Sequence, residues 1–320
     1  CIRDRGDRGR RPAEGDVLQS QRGADPAVFV GYFEISVFMP DVIEHIHGSV
    51  VQHGHYNNRI YLMRLNPYAL SYIVPALDML AVGNGYAKII AKIPADAWPP
   101  FQAAGYVREA HIPGFFSGRT DALFVAKYTS SEREGTRQSE SADNSLERME
   151  TAAELPGPTV DAPIGALTLC APDDAEEMGA IYGRMFKSYP FPIQDATYLK
   201  RTMSAGTAYF GLRARGRLVS LAAAEIDKHH QTVEMTDFTT LPEWRRKGMA
   251  GYLLTHMEGQ SSQLRIKTAY TIARAGSVGM NRVFKKSGYR YAGFLKNNTQ
   301  IGGRIESMIV WYKRLDSQAK

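Results

Sequence analysis

The feature that most constrains this chain is an internal repeat. Phe101-x-x-x-Gly105-Tyr106 returns as Phe284-x-x-x-Gly288-Tyr289, and the offset is constant, since 284−101, 288−105 and 289−106 all give 183. Each copy follows an apolar, strand-like run (86–93 and 268–273) and precedes another (122–128 and 307–312) at nearly the same distance. Both copies therefore read strand, short helix, glycine-aromatic turn, two strands. A fold that accommodates this must hold two related units.

Composition marks the borders of those units. Residues 1–27 are rich in Arg, Gly, Asp and Pro with almost no apolar periodicity, so a disordered tail is expected. Residues 28–128 form the first unit. Residues 129–163 are Ser/Glu-rich and end in Pro-Gly-Pro, the composition of a flexible linker, with a short helix placed over 146–154. Residues 164–316 form the second unit. Within it, 173–186 has a helical pattern with acidic residues in its first turn, and 196–204 reads as a second helix. Strands are expected over 208–213 and 218–227, around Arg215-Gly216-Arg217, and over 232–240. The alternation specifies an α/β class with a mixed sheet.

The formal charge of +6 is distributed unevenly. Residues 1–27, 28–128, 129–163 and 164–320 carry +1, 0, −5 and +10, which sum to +6. The excess lies in the second unit, where a small polyanion would be drawn. No run of Lys/Arg interleaved with aromatics speaks for nucleic acid. The apolar stretches fall short of the ~18 residues a membrane span needs, and no leader pattern opens the chain, so a cytoplasmic protein is expected. Cys1 and Cys170 are too few for a disulfide framework or a thiolate metal site. His45, His47, His53 and His55 crowd together but match no metal-binding spacing, so no metal is expected.

The stretch richest in chemistry is Arg245-Arg246-Lys247-Gly248-Met249-Ala250, between the 232–240 strand and a helical run over 251–260. Gly248 and the small Ala250 let an anion reach the open N–H groups of a helix start, and the basic side chains with the helix dipole favour negative charge there. A pyrophosphate suits it. It is neither a Walker loop nor a dinucleotide fingerprint.

Arg245-x-x-Gly248-x-Ala250 after a strand, with Asn281 and Gly288-Tyr289 further on, resembles the coenzyme A site of GNAT-type N-acetyltransferases. Within that superfamily the chain is similar to the beta-lysine N-acetyltransferases of osmolyte synthesis. The similarity lies in Ser188-Tyr189-Pro190-Phe191-Pro192-Ile193, the EMTDF run 234–238, the YTIARA run 270–275, the GMN run 279–281, Asn297-Asn298-Thr299 and Ile305-Glu306-Ser307-Met308. It reaches the first unit through Gln52-His53-Gly54, Arg59-Ile60-Tyr61-Leu62-Met63 and Ile112-Pro113-Gly114-Phe115-Phe116.

The resemblance implies a GNAT acyl-CoA N-acyltransferase fold, with a catalytic second unit and a degenerate GNAT-like first unit that lacks the Arg-x-x-Gly-x-Ala loop. It implies acetyl transfer from acetyl-CoA to an amine, the terminal amine of beta-lysine above all, giving a zwitterionic compatible solute. Arg245, Arg246, Lys247, Gly248, Met249 and Ala250 would hold the pyrophosphate. Phe238, Thr239 and Thr240 would pair with the pantetheine, and Asn281 would contact the cofactor arm. The family's tyrosine acid corresponds here to Phe284, which has no hydroxyl.

An ammonium with a pKa near 10.4 must lose a proton before it attacks, so a base is required. Glu234 and Asp237 are the catalytic candidates. Strand alternation puts them on opposite faces, so only one is expected to face the acceptor, with Glu234 preferred. Tyr189 and Phe191 would wall the acceptor pocket, Asn297 and Asn298 would bind the substrate carboxylate, and Glu306 or Asp237 would pair with its second ammonium. Ile309 stands where relatives carry Asn, which puts one pocket contact in doubt. Other readings stay open: another small cationic amine as acceptor, such as α-lysine or a polyamine, or a non-catalytic protein that senses acetyl-CoA or binds nucleic acid. A homodimer is also left open.

Overall fold

The computed structural model describes residues 41–135 and 165–315. The expected tail, the start of the first unit and the linker beyond residue 135, with its short helix over 146–154, lie outside the described residues.

The first half runs β1 (Val42–Ile46), β2 (Ser49–Gly54), β3 (Arg59–Arg64), α1 (Leu70–Asn84), β4 (Lys88–Pro94), α2 (Trp98–Ala103), β5 (Val107–Phe116) and β6 (Thr120–Tyr128), followed by one helical turn, α3 (Ser131–Glu134). The second half runs β7 (Ala166–Leu169), α4 (Ala175–Met185), α5 (Ala196–Ser204), β8 (Thr207–Ala214), β9 (Arg217–Asp227), β10 (Thr232–Thr240), α6 (Met249–Gln263), β11 (Thr268–Arg274), α7 (Val278–Lys286), β12 (Arg290–Ile301) and β13 (Arg304–Arg314).

Local chemistry accounts for the borders. The Asp195 carboxylate accepts the Thr197 N–H at 2.8 Å and starts α5 where the sequence places it. A short 3-10 turn over Pro172–Asp174 precedes α4, so the expected 173–186 helix is shorter at both ends. Arg215 and Gly216 both adopt left-handed backbone (φ 52° and 78°), the twist a tight β8–β9 hairpin requires. The helix expected over 251–260 starts earlier, because Gly248 takes φ 75° and lets Met249 begin α6. Residues 131–134, within the composition-defined linker, fold as α3 with Arg133 buried.

The 183-residue repeat is visible in the strand pairing. In both halves a strand runs parallel to the next one (β3 with β4, β10 with β11), which in turn pairs antiparallel with the last strand of its half (β4 with β6, β11 with β13). All strands join one 13-stranded sheet in the order β1-β2-β3-β4-β6-β5-β12-β13-β11-β10-β9-β8-β7. The halves meet at β5 and β12, where Ala110 lies opposite Gly293. Those two positions are themselves 293−110 = 183 apart. A side chain at 293 would run into the Glu109 carbonyl and the Ala110 Cα, so only glycine permits this approach.

Polar and apolar contacts close the seam. Fully buried Lys88 donates to Glu109 at 2.8 Å and to the Lys296 carbonyl at 2.6 Å. Arg59 donates to the Asn298 carbonyl and to the Thr299 hydroxyl, at 2.7 and 2.9 Å. Below them Ile90, Phe124, Tyr270, Leu295 and Val310 form an apolar core shared by the halves, beside the separate core of each half. Among the described residues no helix is long and apolar enough to cross a membrane.

Candidate active site

The site is built on β10. Its ladder with β9 pairs Thr236 with Ala223 and then Thr239 with Leu221, so β10 carries one extra residue at a bulge. Asp237 sits there in left-handed backbone, φ 55°. The bulge overturns the alternation expected for this strand. Asp237 comes within the electrostatic reach of Glu234 and of Glu225, which lies opposite Glu234 on β9, so three carboxylates gather where the sequence pattern separated two.

On its other side β10 pairs with β11 only from Thr232↔Thr268 to Glu234↔Tyr270. Beyond that point the strands part. The wedge between them opens into a cavity of about 540 Å³, lined by Phe238, Thr239 and Thr240 from β10, Arg274 from β11, and Gly248 and Ala250 at the start of α6. The β11-facing edge of β10 thus offers free backbone groups to an extended amide chain. No side chain caps the start of α6, and the space beside the Gly248 Cα is open. Arg245 and Arg246 also line the cavity, while Lys247 stacks over Trp244 at 4.6 Å. A wedge that takes an amide arm and ends at an uncapped, basic helix start fits a nucleotide-linked pyrophosphate carrier.

Among the described residues lining this cavity, Asp237 is the one carboxylate and Tyr189 the one tyrosine. The Tyr189 hydroxyl donates to Asp237 Oδ1 at 2.6 Å. Burial pushes the Asp237 carboxyl up to about 6; the Tyr189 hydrogen bond opposes this and the charge of Glu234 adds to it. Burial likewise raises Glu234, against the pull of Lys92 and of the Tyr270 hydroxyl, which donates to Glu234 Oε2 at 2.7 Å. Desolvation raises Glu225, which is exposed at the surface, and the charges of Glu234 and Asp237 raise it further. Glu225 escaped sequence reasoning because nothing within the second half marks the exposed end of an apolar strand as standing beside Lys92 of the first.

Other expected site residues lie elsewhere. Asn281 is fully buried and fully used: its Nδ2 donates to the Arg274 and Ser277 carbonyls at 2.8 and 2.9 Å, and its Oδ1 accepts from Trp311 Nε1 at 2.8 Å. It anchors the start of α7 rather than lining the cavity. Phe284 does line it, packed edge-on against Phe238 at 5.6 Å. Asn297 and Asn298 belong to the seam, where Asn297 donates to the Arg133 and Gly135 carbonyls and the Asn298 carbonyl takes Arg59. Glu306, only 3% exposed, is bound by Arg274 and Arg304. Burial alone would raise its carboxyl, but the two guanidinium groups hold it below the ordinary range. Phe191 packs on the core of the second half, Ile309 is buried within that core, and Cys170 is buried with its thiol pushed up to about 12. His53 is held between the Tyr86 hydroxyl and Glu44, at 3.0 and 2.8 Å.

The family model described as Acetyltransferase (GNAT) family matches residues 163–289. The beta-lysine N(6)-acetyltransferase of Methanococcus maripaludis is 34% identical over 275 residues, spanning 86% of this chain and 99% of that protein. The enzyme of the same name from Methanosarcina mazei is 30% identical, over 76% of this chain and 97% of its own. N-acetyltransferase YodP of Bacillus subtilis is 30% identical, over 83% and 96%. A putative acetyltransferase of Salmonella typhimurium, solved with its cofactor acetyl-CoA, aligns with 49% of this chain and 96% of its own at 14% identity, TM-score 0.43.

Proposed function

The chain belongs to the GNAT family of N-acetyltransferases, enzymes that draw their acetyl group from acetyl-CoA, and from that premise we infer that it acetylates the terminal amine of beta-lysine. The product would keep one ammonium and one carboxylate, a net-neutral form suited to accumulation as a compatible solute. The support for this acceptor is the likeness to two beta-lysine N(6)-acetyltransferases along nearly their whole length. The observation that carries the reaction class is the parting of β10 from β11 beside the uncapped start of α6.

Bound acetyl-CoA supplies the thioester. The N–H groups at the start of α6, with Arg245 and Arg246, hold its pyrophosphate, and the free edge of β10 over Phe238–Thr240 aligns its amide arm. Asp237 stands in the cavity and takes the ammonium proton; with its carboxyl near pH 6 it is ionised at neutral pH yet basic enough to serve. Glu234, within electrostatic reach of Asp237 on the same strand, adds a second acidic group that favours a cationic acceptor. Phe284 cannot donate a proton to the departing thiolate. The Tyr189 hydroxyl can, with the proton restored from Asp237.

The test is acetyl-CoA-dependent thiol release by the purified protein with beta-lysine, α-lysine and spermidine in parallel. Highest kcat/KM for beta-lysine is expected. Acetyl-CoA binding without turnover of any amine would sink the enzyme assignment to this acceptor class.

A further inference from the structure

The first half contains a second wedge. β3 pairs with β4 from Arg59↔Lys88 to Leu62↔Ala91 and no further, just as β10 leaves β11 after Glu234. This wedge is closed to pyrophosphate by its chemistry. The helical turn that leads into α1 starts with Pro67, which has no N–H, and the Asn66 side chain already accepts the Tyr68 N–H at 3.2 Å.

The closed wedge nevertheless borders open space. Met63, Arg64 and Lys92 wall one side of a cleft of about 520 Å³, and Glu225, Asp227 and Tyr270 of the second half wall the other. Lys92 donates to the Tyr270 hydroxyl at 3.2 Å, and that hydroxyl donates to Glu234, so a hydrogen-bond chain runs from the cleft to Glu234 on β10. Among the described residues no side chain donates a hydrogen bond to Glu225, whereas Asp227 is taken by His230 at 2.7 Å. The cleft therefore presents one carboxylate that accepts no side-chain hydrogen bond, within electrostatic reach of one ammonium with donors to spare.

The spacing suits a linear diamino acid. The Glu225–Glu234 pair lies two residues before Thr236, where the wedge has opened, and two residues of strand span about 6.6 Å. In an extended lysine-type chain the distal nitrogen stands on the order of 6 Å from the amino-acid head, given single bonds of about 1.5 Å.

We propose that this cleft between the halves seats the head of the acceptor, with Lys92 from the first half binding its carboxylate and Glu225 its second ammonium. The assignment rests on the reading of the chain as a diamino-acid acetyltransferase. The cofactor wedge of the first half, unable to take a pyrophosphate, becomes the specificity wall of the second.

The test compares beta-lysine with 1,5-diaminopentane, which keeps two amines and lacks the carboxylate, on the wild type, Lys92→Met and Glu225→Gln. Lys92→Met should lower the ratio of kcat/KM for beta-lysine over the diamine by about tenfold. Glu225→Gln should weaken both acceptors and leave the KM for acetyl-CoA in place. An unchanged ratio in Lys92→Met, with acetyl-CoA binding intact, would overturn the proposal. If the wild type turns over neither amine, calorimetric binding of beta-lysine decides separately. Weaker binding to Lys92→Met then upholds the cleft while the enzyme reading falls, and equal binding ends the cleft as well.

Discussion

Gly293 faces Ala110 across the only registered pair between β5 and β12, and each is the repeat counterpart of the other. The two halves thus meet on the axis that relates them. Gly293→Val places a side chain against the Glu109 carbonyl and should cost on the order of 2–3 kcal/mol, read as a lower urea midpoint. An unchanged midpoint would mean that the strands can separate here without loss.

Lys88 and Glu109 form the buried pair beside that junction, 0% and 7% exposed at their side chains. Lys88→Met leaves the Glu109 carboxylate without its cation and should destabilise by roughly 3 kcal/mol or more, while adding Glu109→Gln should recover part of the loss. Burial lowers the Lys88 ammonium from 10.5 to about 8, so the native state releases its proton first. In the wild type this group's contribution should make stability rise between about pH 8 and 10.5, and Lys88→Met should remove that rise.

Gly248 starts α6 in a left-handed conformation with open space at its Cα. Gly248→Val should strain the loop by about 1 kcal/mol and obstruct the N–H groups behind it. Acetyl-CoA should bind about tenfold more weakly by calorimetry, a loss of about 1.4 kcal/mol, with the fold retained.

Asp237 and Tyr189 should separate in their pH behaviour. The Asp237 carboxyl is raised from 3.8 to about 6, so its ionised form destabilises the native state above that range and contributes nothing below 3.8. Asp237→Asn should therefore raise stability by on the order of 2 kcal/mol at pH 7–8, leave it unchanged near pH 3.5, and lower kcat by about 100-fold. Tyr189→Phe should lower kcat about as strongly without that gain in stability.

Glu306 titrates in the opposite sense. Arg274 and Arg304 hold its carboxyl low, so the stability it contributes is present above the ordinary carboxylate range and lost as the pH falls through its depressed value. Glu306→Gln should be less stable at pH 7, and the difference from wild type should shrink in acid, as followed by circular dichroism melts.

Much of this was legible because it is local. The repeat, the β10 and α5 limits and the loop from Arg245 to Ala250 follow from short-range patterning and from glycine at fixed places. The bulge at Asp237 was not, since a period-two reading assumes every residue takes one ladder position. Asn281 and Glu306 looked available to a ligand because the groups that consume them, Trp311 and Arg274, are about 30 residues away in sequence. Asn297 and Asn298 were expected to bind the substrate carboxylate, but the chain that surrounds them includes Arg59 and Arg133, more than 160 positions earlier. Glu225 gained its meaning from Lys92, which no pattern within either half could pair with it.

The seam between β5 and β12 lies within a single polypeptide. An acceptor cleft shared by two separate subunits would come apart on dilution, and its occupancy would follow protein concentration. Here the two walls arrive in equal number and at a fixed, high local concentration however sparse the protein is. Specific activity should hold constant from micromolar to picomolar enzyme, and selection can alter the Lys92 wall while the acetyl-CoA seat is left untouched.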